Sequence, residues 1–248
     1  TDLSETYIPS RLLLSEIQIN KGLFNAAIQT LLALQKEHRL NFTIKTALIK
    51  VYLSSYKLDD ALRELRSIRN SQFSRTGDYA SLWGQYYLAR KNNYHAIKYF
   101  QKSVKMDPIN DMNYFELAGI FLKIRKYKLA KQNIGKAIEI DPTNVKYRSL
   151  YSKILYELED VSTSIGYLRA QLKIFPDNPM LISNIAINYF KSGQAKEFER
   201  YSKKISKLSK KDDSFYKFLI KSSKMDERFG DVIKYSKELI KLKPGDLK

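Results

Sequence analysis

Residues 111–144 read DMNYFELAGIFLKIRKYKLAKQNIGKAIEIDPTN, and this stretch decides the fold. Leu117, Ala118 and Phe121 fall at spacings of one turn, on one face of a first helix. Tyr127 follows a short turn, and Ala130, Ile134 and Ala137 line one face of a second helix. Asp141-Pro142 ends that helix, because proline has no N–H to donate and disfavours helical geometry in the residue before it. The stretch therefore predicts one complete helix-turn-helix unit of 34 residues.

Shifting the pattern by 34 finds it again over nearly the whole chain. Copies fall at 8–41, 42–75, 77–110, 111–144, 145–178, 179–212 and 213–246, with Thr76 as the one inserted residue. The small residue that lets the two helices approach recurs as Ser15, Gly84, Ala118, Ser152 and Ala186, and is broken by Ile49 and Ile220. The alanine of the second helix recurs as Ala27, Ala61, Ala96 and Ala130, then gives way to Ser164, Phe198 and Val232. The closing proline stands at Pro108, Pro142, Pro176 and Pro244. This spacing of aromatic, small residue, alanine and proline resembles the tetratricopeptide repeat. The resemblance implies an all-α fold, a right-handed α-solenoid of seven stacked helix-turn-helix units. Residues 1–7 would be a leader, 8–246 a single array and 247–248 a tail.

Composition fits such a stack and narrows its chemistry. Apolar residues make up 44% of the 248, enough to bury a continuous core between neighbouring units. No apolar run is long enough to span a membrane. The chain has no cysteine, which excludes disulfides and thiolate metal sites. That suits an oxidising compartment such as a periplasm or cell envelope and is equally compatible with the cytoplasm, so localisation is left open. Starting at Thr1, the chain is expected to have been processed or trimmed. The segment SQFSRTGD at 71–78 is the least regular join and the expected hinge. Trp83, the single tryptophan, is read as core.

Catalytic material is lacking. His38 and His95 sit in different units without a recurring acidic or hydroxyl partner. Asp59-Asp60 and Glu159-Asp160 fall at interhelical turns, where carboxylates favour the start of the following helix rather than acid–base work. Nine glycines form no phosphate-cradling loop. Neither an enzyme nor a cofactor nor a metal is expected.

Binding remains. In the family that the repeat resembles, first helices line a concave groove. The corresponding rows here give Leu53, Leu88, Leu122, Tyr156 and Phe190 late in the helix, Phe115 and Lys217 early, and Lys50, Lys153, Ile187 and Lys221 between them. The expectation is an apolar floor with lysines at intervals, suited to a peptide or helix of another protein carrying acidic residues. The alternative reading of the late row is packing against the next unit. The family's clamp for chaperone tails is not matched: Lys153 and Asn184 are its nearest fragments, but Ser214 and Phe218 stand where its cations belong. The final unit is not followed by an extra solvating helix; either the chain has been cut there or a partner or second copy covers Val232, Tyr235, Leu239 and Leu242.

Net charge is +18. It is spread over the array and richest in units 42–75 and 179–212. In the latter, Lys196, Arg200, Lys203, Lys204 and Lys207 fall on the second, convex-side helix. This basic face is read first as solvated, with an acidic protein, anionic membrane surface or phosphate backbone as alternative occupants. No regular polar pair recurs as in repeats that read RNA, so sequence-specific nucleic-acid binding is not expected.

Overall fold

The structure is a computed structural model describing residues 3–208, 216–217, 220, 223–224 and 229–242, and every regular element among these is helical. The chain divides into two compact bodies that meet in sequence at Ile109 and Asn110. The first holds α1 (Leu3–Asn20), α2 (Phe24–Glu37), α3 (Phe42–Ser54), α4 (Leu58–Ser67), a 3-10 turn (Gln72–Arg75), α5 (Gly77–Ala89) and α6 (Asn93–Met106). The second holds α7 (Asp111–Lys123), α8 (Tyr127–Ile140), α9 (Val145–Leu158), α10 (Val161–Ile174), α11 (Pro179–Lys191), α12 (Ala195–Lys207) and α13 (Phe229–Leu242). Lys221 and the side chains of Val232, Tyr235, Leu239 and Leu242 lie outside the described residues.

From α1 to α6 and from α7 to α12 each helix packs on the one that follows it, and first helices of successive units also touch: α1 with α3, α3 with α5, α7 with α9 and α9 with α11. Small side chains permit this closeness. At Gly84 an added Cβ would lie 2.7 Å from the Phe100 ring, so only glycine lets α5 settle on α6. Ser103 on α6 donates to the Gly77 carbonyl at 2.6 Å, tying the same two helices at their far ends.

From α3 onward, the start of each first helix through α11 is fixed by a cap at a repeated place. Asn41, Asn110, Asn144 and Asn178 each accept backbone N–H groups of the helix that follows. These donors have no intrahelical partner, and the short amide side chain supplies one. The equivalent place before α5 is Arg75, which cannot cap in this way; the inserted Thr76 does so, accepting from the Tyr79 N–H at 3.2 Å. The expected hinge is thus an ordered join. Ser71, Ser74 and Thr76 donate to backbone carbonyls three residues back. Phe73 stacks on Phe42 at 5.6 Å and meets the edge of Tyr79.

The turn inside a unit repeats too. Residues 22, 56, 91, 125 and 193 all have positive φ, as Gly22, Tyr56, Lys91, Arg125 and Gly193. Each reverses the chain with paired bonds, as where Lys126 N–H reaches Phe121 O and Arg125 N–H reaches Leu122 O. Glu159, at the same register, keeps a negative φ.

The first body's core gathers Leu31, Leu34, Ile44, Leu48, Ile49, Leu65 and Ile68 around Ala27 and Ala61. In the second body Leu168, Leu181, Ile185 and Tyr189 form one cluster, and Ile182, Ala186 and Ile205 another. Tyr147 of α9 is buried, and its hydroxyl donates to Asp111 at the start of α7 at 2.7 Å. Burial and that carboxylate push its phenol proton to be held far more tightly than usual. Trp83 packs within an aromatic group, stacked on Tyr99 at 5.8 Å, with Tyr87 between it and His95.

Candidate functional site

In the second body the first helices α7, α9 and α11 face a common groove of about 640 Å³. Helical spacing explains who reaches it: Ser149, Ser152, Lys153 and Tyr156 recur at three- and four-residue intervals along α9, as do Met180, Ser183, Asn184, Ile187 and Lys191 along α11. Helix α7 contributes Leu122 and Lys123, and the turn after it contributes Arg125. Lys217 completes the wall.

The floor is a hydrogen-bonded seam rather than the apolar strip expected. The Asn184 amide donates to Ser149 Oγ at 2.7 Å. Asn188 donates to Ser164 Oγ at 2.8 Å, and Ser164 in turn donates to the Ser152 carbonyl at 2.7 Å. Ser152 donates to the Ser149 carbonyl and Ser183 to that of Pro179. All of these side chains but the half-buried Asn184 are buried, and they are mutually satisfied, which is what makes a polar seam tolerable inside a helical stack. Apolar contact is supplied at intervals, by Leu122, Tyr127, Tyr156, Met180 and Ile187.

Charge around the groove is lopsided. Lys123, Arg125, Lys153, Lys191 and Lys217 line it, against the single carboxylate of Glu157. The Lys191 ammonium lies over the Tyr156 ring at 3.8 Å. Lys153 reaches water yet stands inside the concavity. Its loss of solvent, with the Lys217 charge second, holds its pKa below the ordinary lysine value.

Of the residues expected in a groove, the structure brings Leu122, Lys153, Tyr156, Ile187 and Lys217 together here. Three others are engaged elsewhere, for physical reasons that the repeat register alone does not expose. Phe190 meets Phe198 of α12 edge-on at 5.2 Å, so it packs between the two helices of its own unit. Phe115 lies against Tyr147 at 5.1 Å. Leu53 is 9% exposed within the first body's core. Lys50 is exposed and Leu88 half-buried, both in the first body. Conversely Lys123, Arg125, Lys191 and Asn188 were missed as groove residues; Lys123 and Lys191 share the register of Glu157, one residue beyond the late row.

The basic face of α12 is largely paired. Arg200 meets Glu197 at 3.5 Å, Lys203 meets Glu199 at 2.6 Å, and Lys204 meets Asp177 at 3.3 Å while donating to the Pro176 carbonyl. Lys196 and Lys207 are exposed. The acidic turn residues act as the sequence suggests: Asp160 caps α10 by accepting from Thr163, Glu159 pairs with Lys131 at 2.7 Å, and Asp60 pairs with Arg63. Among the described residues there is no acidic or histidine cluster able to hold a metal. No helix among them is long and apolar enough to cross a membrane.

Helix hairpins repeating at 34 residues around an open basic groove define a helical-repeat protein. The tetratricopeptide repeat profile matches residues 82–110 and 113–144, so the chain contains tetratricopeptide repeats. It is 26% identical over 118 residues to a TPR repeat-containing protein of Methanocaldococcus jannaschii, a match covering 48% of this chain and 21% of that protein. The shared segment is thus about a fifth of the relative's length. Among solved structures, a tetratricopeptide repeat protein from Parabacteroides merdae superposes with TM-score 0.69 at 16% identity, covering 95% of this chain and 98% of that one. The Cut9-Hcn1 hetero-tetramer of the APC/C gives 0.63 at 14%, covering 95% of this chain and 46% of its counterpart. At such identities the likeness is one of fold.

Proposed function

We propose that this chain is a non-enzymatic interaction scaffold, and that the groove between α7, α9 and α11 captures an acidic segment of a partner protein. Tetratricopeptide repeats generally mediate contacts between proteins, which supplies the class of function. The observation that carries the reading is the groove's charge: five cations face one carboxylate on a concave wall with only intermittent apolar anchors. An acidic segment would exchange its hydration for ammonium contacts and bury an aliphatic side chain against Leu122 or Ile187, which contributes roughly 1.5–3 kcal/mol before association costs. Because the wall is cationic, capture should weaken with salt, unlike the apolar groove expected from sequence.

The test is a charge reversal that spares the core. Wild-type protein, a Lys153→Glu/Lys191→Glu groove variant and a Lys196→Glu/Lys207→Glu variant of the α12 face are compared for capture from nuclease-treated lysate. A protein retained by the wild type and the α12 variant, and lost from the groove variant, is the expected result. Equal retention by all three removes the groove from the mechanism.

A further inference from the structure

A second site is built on α10 and α12, the second helices of two successive units, and shares no lining residue with the groove. The two helices border a recess of about 480 Å³ lined by Arg169, Leu172, Lys173, Arg200, Tyr201 and Lys204. Four-residue spacing puts Arg169 and Lys173 on one face of α10, and Arg200 and Lys204 on one face of α12. Cations therefore reach the recess from two helices.

The guanidinium groups are held in place by a pair of tyrosines. Arg169 Nε donates to the Tyr189 hydroxyl at 2.8 Å, and its guanidinium lies over that ring at 5.7 Å. Tyr189 stacks on Tyr201 at 5.5 Å, and the Arg200 guanidinium lies over Tyr201 at 5.9 Å. Each ring thus positions one guanidinium, and the bond through Arg169 Nε leaves its two terminal amino groups as donors. Lys204 is fixed by the Pro176 carbonyl at 2.6 Å.

Charge and shape then select the ligand. Glu197 pairs with Arg200 at 3.5 Å and Asp177 with Lys204 at 3.3 Å, while no carboxylate is among the described residues lining the recess. Two of the four cationic charges are compensated in this way, those of Arg169 and Lys173 remain, and a dianion balances both. A phosphate monoester approaches that charge at neutral pH. A planar carboxylate is satisfied by one guanidinium fork, whereas the diverging oxygens of a phosphoryl group take donors from two helices at once. The Tyr201 ring already engages Tyr189 and Arg200, which disfavours a stacked base and leaves Leu172 to meet a carbon skeleton.

We infer that the recess between α10 and α12 binds an aliphatic phosphate monoester, with Arg169 and Lys173 balancing its charge and Arg200 and Lys204 as further donors.

The experiment is ligand-observed NMR on the full chain, comparing methyl phosphate with methyl sulfate at matched ionic strength. The sulfate ester has the same tetrahedral head and a single charge. Wild type and the control Lys196→Gln should bind methyl phosphate at least about tenfold more tightly, a preference that fades below about pH 6 as the ester takes up its second proton. Arg169→Gln and Lys173→Gln should lose it. Lys173 is exposed, so its variant keeps the test decisive if far-UV circular dichroism shows Arg169→Gln misfolded. Two further arms separate the sources of the ester. Binding of glycerol 3-phosphate alone assigns a soluble ester, whereas flotation with phosphatidylcholine vesicles containing phosphatidic acid, lost in Lys173→Gln, assigns a lipid headgroup. Either result supports the site. Absence of binding, equal affinity for the two methyl esters, or a preference that both recess variants keep overturns it. A phosphoserine peptide bound about tenfold more tightly than glycerol 3-phosphate overturns the choice of an aliphatic ester over a protein segment.

Discussion

Gly84 and Gly119 occupy adjacent registers of successive units and face opposite demands. A methyl group on Gly84 would press into Phe100, so Gly84→Ala should cost about 1–3 kcal/mol through overpacking. Around Gly119 a Cβ would meet nothing within 4 Å, so Gly119→Ala should stabilise α7 by about 0.5–1 kcal/mol through helix propensity alone. Urea melts of the two variants check both signs. Glu116, also on α7, is a pH-dependent case. Loss of solvent raises its pKa, opposed by Lys123. The native state therefore keeps this proton to higher pH than the unfolded chain, and the group's contribution to stability falls as pH rises through that window. Glu116→Gln should accordingly raise the urea midpoint at about pH 7 and leave it unchanged below about pH 4, where both states are protonated.

At the scale of elements, the repeat makes caps as periodic as cores. Asn144→Ala removes the acceptor for the Lys146 N–H and should cost about 1 kcal/mol. Hydrogen exchange should show the loss concentrated in the first turn of α9. The same periodicity explains what could be read from the chain and what could not. Ala130, Ile134 and Ala137 are fully buried where their spacing placed them, because a 3.6-residue period reports the buried face directly. The asparagine caps were equally visible, one residue before α3, α7, α9 and α11, but lay outside the apolar pattern. The left-handed turns at Tyr56, Lys91 and Arg125 were hidden because the usual marker, glycine, is absent there. For Phe190 and Phe115, register gave the face of the helix correctly enough to suggest exposure. It could not say that Phe198 and Tyr147 would cover them. The division at Ile109 was illegible for a similar reason, since the 34-residue phase runs across it unbroken.

For the molecule as a whole, a net charge of +18 disfavours the compact state through self-repulsion. Added salt should therefore raise the melting temperature between about 10 mM and 0.3 M sodium chloride while weakening capture in the groove. Calorimetry and binding, run in the same buffers, should move in opposite directions. The turn after α7 joins these two quantities in one residue. Arg125 holds a left-handed backbone that glycine would adopt without penalty, and its side chain lines the groove. Arg125→Gly should make the protein more stable by about 1 kcal/mol and a poorer binder. A lineage, or a designer, improving robustness by drifting toward the commonest turn residue would erode recognition without any sign in a folding assay. Position 125 is thus where heredity must choose between endurance and use.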